Sequence, residues 1–178
     1  MTTVAKVEDQ YERWQTPAEV FDPLMAEFNF DLDAAADEQT HRLPRYLRDA
    51  LVLDDWPGER IWLNPPYGRK LEPFIRKAAA EAAKGKLVVA LIPFRCRAAW
   101  WHDCVIGKAI EVRCVRRRIK FVRLDGSRPS LTGSCDSCIV VWDFFKAGGS
   151  FNFEPGDGSI SLNQPRGPVQ TRITGWTG

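Results

Sequence analysis

The residues with the clearest chemical potential are Asn64-Pro65-Pro66-Tyr67, which directly follow the short apolar run Ile61-Trp62-Leu63. Open α/β sheets place their ligand sites at the carboxyl ends of such strands. The asparagine side-chain carbonyl and the first proline's backbone carbonyl can both accept hydrogen bonds from one amino group. The prolines stiffen the turn that aims these carbonyls, and the tyrosine ring offers a face to a planar base. The motif therefore predicts chemistry on a conjugated amino nitrogen.

Methyl transfer to such a nitrogen explains each part of the motif. The lone pair of the nitrogen is delocalised into the ring, so the nitrogen is a poor nucleophile. Acceptors at Asn64 and Pro65 would draw its hydrogens toward tetrahedral geometry and free the lone pair for a methyl sulfonium. This is preorganisation and not proton removal, so no general base is needed. A turn that carries these residues by chance is the alternative, but the strand before it and the helix after it favour the catalytic interpretation.

The surrounding sequence predicts alternating helices and strands. Thr16 as N-cap and Glu19 three residues later form a capping box that predicts a helix start. Pro17 suits the first helical position, and Pro23 is expected to kink or restart that helix. The other predicted helices cover 70–84 and 96–106, and the predicted strands cover 28–33, 61–63, 87–92, 110–115, 119–124 and 138–142.

Strands that alternate with helices predict an α/β fold with a mostly parallel sheet. The connections between the last strands are too short for helical crossovers, so an antiparallel C-terminal edge is expected. Residues 11–145 are predicted to form one domain. Gly and Pro make up ten of the 33 residues from Lys146 onward, which favours a loose tail over 146–178.

Composition narrows the class of protein. With 44% hydrophobic and 27% charged residues, the chain matches an ordinary soluble globular protein. The net charge of +2 does not by itself indicate a nucleic-acid binder. No apolar stretch has the length of a membrane span or the position of a signal peptide, so a cytoplasmic protein without a membrane partner is predicted. The sequence is compatible with a monomer.

The five cysteines are predicted to be free thiols and not metal ligands. Cys135 and Cys138 have C-x-x-C spacing, but no second pair completes a set of four zinc ligands. His41 and His102 are isolated in the sequence. No metal site is therefore expected.

A basic stretch near the middle of the chain offers a nucleic-acid contact. It places six cations within eleven residues, namely Arg113, Arg116, Arg117, Arg118, Lys120 and Arg123. A strand with its apolar residues inward would present several of them to phosphates, and we assign Arg116, Arg117, Arg118 and Lys120 to DNA binding. A solvated edge strand is the alternative. Trp100-Trp101-His102 would either line the DNA cleft or contribute buried core aromatics.

Asn64-Pro65-Pro66-Tyr67 resembles the catalytic motif of amino-group methyltransferases, and residues 11–145 are similar to the small phage-type, Dam-like DNA N6-adenine methyltransferases. The resemblance implies a Rossmann-like, S-adenosylmethionine-dependent methyltransferase fold. It also implies a phage or prophage origin and methylation of adenine N6 in double-stranded DNA, with the base flipped toward Tyr67. The stretches that carry it are Trp14-Gln15-Thr16-Pro17, Phe30-Asp31-Leu32-Asp33-Ala34-Ala35, Trp62-Leu63-Asn64-Pro65-Pro66-Tyr67-Gly68, and Ile92-Pro93 with Trp101-His102.

The same resemblance implies how S-adenosylmethionine is bound at its methionine end. Thr16 and Pro17 would open a helix beside the carboxylate, where a helix N-terminus suits an anion, although an ordinary N-cap explains Thr16 equally well. Asp33 would accept from the ammonium. Ala34 and Ala35 replace the glycines of many cofactor loops and still permit close backbone approach.

At the nucleoside end, Asp49 and Leu51 resemble the segment that reads the cofactor adenine, and an exposed loop aspartate is the competing interpretation. The sequence does not assign the acidic residue that would bind the cofactor ribose, and Asp37 and Glu38 are no more than candidates for it.

Two other functions remain open on sequence alone. The same motif suits other planar amino groups, namely a protein glutamine, an RNA guanine or cytosine N4 in DNA. A DNA-binding module that has lost catalysis is the other candidate, although it has no need of the intact motif. The chain leaves little room for a separate recognition domain, so we expect a short or relaxed site that loops around 95–135 would read.

Overall fold

The computed structural model describes residues 14–115, 118–127, 136–143, 160–161 and 172–176, the last two ranges by their backbone only. The helices are α1 (Ala18–Phe28), α2 (Leu71–Ala83) and α3 (Ala99–Cys104), with a 3₁₀ turn at Ala50–Val52. The strands are β1 (Leu32–Asp33), β2 (Arg60–Leu63), β3 (Leu87–Pro93), β4 (Glu111–Val115), β5 (Ser137–Asp143), β6 (Ile160–Ser161) and β7 (Arg172–Trp176).

The strands form one mixed sheet in the order β1-β2-β3-β5-β4-β7-β6. Strands β1, β2 and β3 pair in parallel, and β4 and β7 run in the same direction. Strand β5 pairs antiparallel with both β3 and β4, and β6 pairs antiparallel with β7. The predicted α/β fold, mostly parallel with antiparallel pairing among the C-terminal strands, is thus confirmed. Strand β5 lies inside the sheet, however, and not at its border.

Helices cover both faces of the sheet. On one face, α1 packs Val20, Phe21 and Leu24 against Trp62 and the inner strands. On the other face, α2 and α3 pack over the central strands, where Phe74, Ile75 and Trp101 are buried. This arrangement explains why 87–92 is a continuous apolar run, because β3 is buried on both faces from Val88 to Pro93.

Several local predictions were wrong in detail. The strand predicted over 28–33 is only Leu32–Asp33, because Phe28 is the last residue of α1. The N-cap of α1 is Pro17 and not Thr16: its carbonyl accepts the Val20 and Phe21 amides, and no side chain caps the helix. Helix α1 is continuous through Pro23, so of the two outcomes expected there the restart does not occur. Its buried apolar face holds the helix together despite the one donor that proline removes. The helix predicted over 96–106 is only Ala99–Cys104.

The strand predicted over 119–124 is also wrong. Strand β4 ends at Val115, and only Val122 forms an isolated bridge, with Gln15. Apolar and charged residues alternate in this segment because Ile119 is buried against α1 while Arg118 and Lys120 are exposed. Alternating burial along an irregular segment is indistinguishable in sequence from alternation along a strand.

A buried ionic cluster anchors the loop that precedes β2. The Glu81 side chain has no exposed surface and accepts from Lys86 Nζ at 2.7 Å and Lys77 Nζ at 2.8 Å. It also accepts the Trp56 backbone amide at 3.0 Å. Burial would raise the pKa of Glu81, but the hydrogen bonds from the lysines outweigh burial and hold the pKa far below its ordinary range. The charge therefore stays paired.

Candidate active site

The carboxyl ends of the adjacent strands β1 and β2 bring Asp33 and Asn64 to the same end of the sheet. Asp33 ends β1, and Asn64 follows β2 directly. Their strands are adjacent and parallel, with Asp33 in register with Trp62. The Ala34 amide donates to the Trp62 carbonyl at 2.9 Å, so the turn after β1 is fixed beside the start of the Asn64 motif. This is the place where open α/β sheets bind ligands.

Asn64 is partly exposed and is oriented by the segment before α1. Its Nδ2 donates to Thr16 Oγ1 at 3.0 Å. Thr16 is only 2% exposed, so the acceptor of this bond is buried. Because the amide nitrogen is engaged, the Oδ1 atom is the part of the side chain left to accept from a substrate. Pro65, the next residue, is buried and fixes the turn.

Asp33 is a buried carboxylate that holds its own loop. It is 2% exposed and accepts from the Arg42 amide at 3.0 Å and, more weakly, from the Ala35 amide at 3.4 Å. Burial raises its pKa to about 6, although the backbone hydrogen bonds from Arg42 and Ala35 oppose the rise. The carboxylate therefore changes its charge in a pH range where enzymes work.

Residues 45–47 run parallel alongside β1 and carry the chain toward Asp49 and Leu51. The Asp33 amide donates to the Arg45 carbonyl at 2.9 Å, and the Leu47 amide donates to the Asp33 carbonyl at 2.8 Å. Asp49 is exposed, Leu51 is 37% exposed, and neither side chain is fixed by the core. Ala50 between them is buried, and its carbonyl accepts from Trp56 Nε1 at 2.8 Å. The turn is therefore anchored, while its two flanking side chains face outward.

Both candidates for the ribose contact already form a hydrogen bond or an ion pair with nearby residues. Asp37 Oδ1 accepts the Gln39 and Thr40 amides at 2.9 and 3.0 Å, which is how an aspartate stabilises a turn. Glu38 pairs with Arg48 at 3.5 Å on the surface. These contacts do not indicate that Asp37 or Glu38 binds a ribose.

Tyr67 has an aromatic neighbour that the sequence did not identify. Its ring meets the Phe121 ring edge-on, with centroids 5.7 Å apart and an interplanar angle of 82°. Its hydroxyl lies 3.4 Å from Ser137 Oγ. The backbone pairing of Val122 with Gln15 holds this segment next to Thr16. Phe121 falls within the strand predicted over 119–124, and no spacing rule connects it with the motif 54 positions earlier (121 − 67).

The described cations of the basic stretch fall into two groups. Arg118 and Lys120, which are assigned to DNA binding, are exposed, and so is Arg123, whose guanidinium lies over the Trp14 ring. Arg113 is committed elsewhere, because it pairs with Glu27 and with Glu111, the latter at 2.8 Å, and these partners raise its pKa above the ordinary value. Arg116 and Arg117 lie outside the described residues.

Further exposed cations occur on the loops after β2 and β3. Arg69 follows the Tyr67 motif, and Arg95 and Arg97 follow β3, so all three lie at the edge that carries Asn64. Strand β4 runs in the same direction, which brings Arg118 and Lys120 to that edge as well. Within the described part of the chain, none of these cations forms an ion pair or hydrogen bond with a carboxylate. We call this set the basic rim: Arg69, Arg95, Arg97, Arg118 and Lys120.

The tryptophans of α3 belong to the core. Trp100 and Trp101 are 5% and 3% exposed, and their rings meet edge-on. The hypothesis that they line a DNA cleft is therefore wrong, and only His102 of that triplet is exposed.

Cys96, Cys104, Cys114 and Cys138 are free thiols, whereas Cys135 lies outside the described residues. Among the residues placed by the structure, no group of three or more His, Cys, Asp or Glu side chains is arranged to hold a metal ion. None of the helices described is both long enough and apolar enough to span a membrane.

Comparison with known proteins identifies the family of the chain. The family described as "DNA N-6-adenine-methyltransferase (Dam)" matches residues 2–165. A DNA N-6-adenine-methyltransferase of Haemophilus phage HP1 is 30% identical over 135 residues, which cover 73% of this chain and 78% of that protein. One of Escherichia phage T1 is 34% identical over 94 residues, covering 51% of this chain and 39% of the phage protein. The chain therefore belongs to the DNA N-6-adenine-methyltransferase (Dam) family.

Proposed function

We propose that the chain transfers a methyl group from S-adenosylmethionine to the N6 amino group of adenine in DNA. The observation that carries the proposal is the orientation of Asn64, whose amide nitrogen is held by Thr16 while its Oδ1 remains available as an acceptor. The phage relatives that share this chain's family are named for the same reaction. An acceptor at this strand end is what activation of a conjugated amino group requires.

In the proposed reaction, Asn64 Oδ1 and the Pro65 carbonyl accept the two hydrogens of the adenine amino group. Their pull moves the nitrogen toward tetrahedral geometry and makes its lone pair a nucleophile. The acceptors are fixed before the reaction, so no reorganisation is needed when charge develops. S-adenosylmethionine supplies the electrophilic methyl group.

The target adenine is proposed to leave the duplex and bind against Tyr67 and Phe121. A base inside the duplex cannot reach a motif in a sheet-edge turn, so enzymes of this kind flip their target base. The two rings stand nearly perpendicular, so a base stacked on one ring would meet the other at its edge. Ser137, within 3.4 Å of the Tyr67 hydroxyl, would help to hold the tyrosine ring in place.

The residues at the edge of β1 fit the methionine end of S-adenosylmethionine. The N-terminus of α1, at Pro17, suits the carboxylate, because the helix dipole favours an anion there. Among the described residues, the Asp33 carboxylate accepts hydrogen bonds from backbone amides only, so it can still accept from an ammonium. Asp49 and Leu51 are proposed for the adenine end, where their outward side chains leave them accessible.

The raised pKa of Asp33 predicts a pH dependence of cofactor binding. If the ammonium needs an ionised Asp33, whose pKa is about 6, affinity should fall about tenfold between pH 7 and pH 5. Isothermal titration of the protein with S-adenosylmethionine at several pH values measures this. Asp33→Asn should bind weakly with a flat profile. A wild-type profile that is equally flat over this range would contradict the role of Asp33.

The basic rim is proposed to contact the DNA backbone around the flipped base. Its five cations are not neutralised by described carboxylates and surround the edge that carries Asn64. Cations that contact phosphate release counterions, so their number appears as the slope of binding against salt concentration. The net charge of +2 does not indicate the basic rim, because acidic residues elsewhere in the chain offset its cations.

Substitution of Arg95, Arg97 and Lys120 together with alanine should reduce the salt slope by about two to three units. Fluorescence anisotropy with a short labelled duplex at several salt concentrations measures this slope. Lys108→Ala is the matched control, because Lys108 is also exposed but precedes β4 at the opposite edge of the sheet. If the triple variant and the control both retained the wild-type slope, the basic rim would not be the DNA-binding surface.

The motif alone also suits protein glutamine, RNA guanine and cytosine N4, so the substrate must be tested directly. Purified protein and methyl-labelled S-adenosylmethionine should be offered duplex DNA, structured RNA and a cell-extract protein fraction separately. We expect label in duplex DNA. Label only in RNA or protein would refute DNA methylation, and absence of cofactor binding would instead favour a DNA-binding module without catalysis.

A further inference from the structure

We propose that Thr16 is a positioning residue that sets which end of the Asn64 amide faces the substrate. The inference rests on the proposed function and adds a role for Thr16 besides contact with the cofactor. An asparagine amide has a donor end and an acceptor end of nearly the same shape. Only the acceptor end can bind the hydrogens of an amino group, so methyl transfer requires that the amide not be reversed.

The geometry supports this role because Thr16 has no capping duty. Pro17 supplies the carbonyl that begins α1, and no side chain caps that helix. The Thr16 side chain instead receives Asn64 Nδ2 at 3.0 Å. The segment is held from the other side by Gln15, whose amide donates to the Val122 carbonyl at 2.9 Å and whose carbonyl accepts the Val122 amide at 3.1 Å.

The hydrogen-bond inventory of Thr16 indicates a second partner. A threonine hydroxyl has one hydrogen and two lone pairs, and Asn64 uses a lone pair. Among the residues that the structure describes, none accepts the remaining hydrogen, although the side chain is 2% exposed. A buried donor normally has an acceptor. We infer that an anionic oxygen of the cofactor accepts this hydrogen, which would couple cofactor binding to the orientation of Asn64.

The test separates orientation from cofactor affinity. In single-turnover methylation at saturating S-adenosylmethionine and DNA, Thr16→Val should be about tenfold slower than wild type, the rate equivalent of one lost hydrogen bond. Valine keeps the shape of threonine and removes the hydroxyl, whereas Thr16→Ser keeps the hydroxyl and should restore most of the rate. A Thr16→Val rate within twofold of wild type at saturation would overturn the proposal, while wild-type methylation would still support the proposed function.

The same change in an Asn64→Asp background distinguishes orientation from any direct effect of Thr16 on the cofactor. The two oxygens of a carboxylate are equivalent acceptors, so an aspartate needs no orientation. Thr16→Val should therefore cost less than about threefold in that background. An equal cost in both backgrounds would mean that Thr16 acts through the cofactor alone. If Asn64→Asp were as slow as Asn64→Ala, position 64 would not act as an acceptor, and the proposal would fail with it.

Discussion

Replacing Asn64 with alanine is expected to lower the rate of methyl transfer by about two to three orders of magnitude, the usual cost of removing one preorganised hydrogen-bonding group. The change removes the side-chain acceptor and leaves only the Pro65 carbonyl to draw on the amino group. The readout is the single-turnover rate at saturating cofactor and DNA, because that rate reports the chemical step and not binding. Asn64 is partly exposed and is not a core residue, so the fold should survive the change.

Two controls are needed for this prediction. The dissociation constants for S-adenosylmethionine and for DNA should change by less than about threefold, since the interaction is made mainly in the transition state. Lys108→Ala, on the opposite edge of the sheet, should methylate at the wild-type rate. A large loss of cofactor affinity with an unchanged rate at saturation would show that Asn64 binds the cofactor and does not activate the amino group.

Replacing Glu81 with alanine is expected to lower the free energy of unfolding by roughly 3 to 5 kcal/mol, the cost of removing one partner from a buried ion pair. The Lys86 side chain is only 8% exposed and would lose its buried partner, although Asp55 would remain at 2.8 Å. The Trp56 amide would also lose its acceptor. Urea denaturation followed by circular dichroism measures the change.

The matched control is Glu72→Ala on the same helix. Glu72 is 47% exposed on its side chain and pairs with Arg76 at 2.8 Å, so its loss should cost less than about 1 kcal/mol. The stability that Glu81 contributes also depends on pH. The pKa of Glu81 is lower in the folded protein than the ordinary 4.5, so its contribution is present above pH 4.5 and is lost only as pH falls well below it. Equal destabilisation by the two substitutions would contradict the account of the cluster.

The sequence was sufficient for the elements whose local chemistry agrees with the fold. The strand before Asn64, the helix closed by Gly85 and the fully apolar β3 were all predicted near their observed bounds. In each case the pattern predicts one structure, because the hydrophobic pattern, the secondary-structure propensity and the residues at the ends of the element agree. The position of the Asn64 motif at the carboxyl end of a parallel strand followed from the same agreement.

Contacts between distant segments were not predictable in this way. The local sequence predicts that Thr16 caps α1. Its hydrogen bond with Asn64 joins residues 48 positions apart, and no local pattern indicates such a contact. Phe121 and the loop cations at Arg69, Arg95 and Arg97 belong to the site only because the strands bring several loops to one edge. Local spacing carries no information about which loops meet, so these residues required the sheet order.

Identification of the methylated nucleoside tests directly whether the chain methylates adenine N6 in DNA. Plasmid DNA from a methylation-deficient host should be incubated with the protein and S-adenosylmethionine, digested to nucleosides and analysed by mass spectrometry, with Asn64→Ala in parallel. We expect N6-methyladenine with the wild type and almost none with the variant in the same time. N4-methylcytosine in place of N6-methyladenine, or equal N6-methyladenine from both proteins, would contradict this expectation.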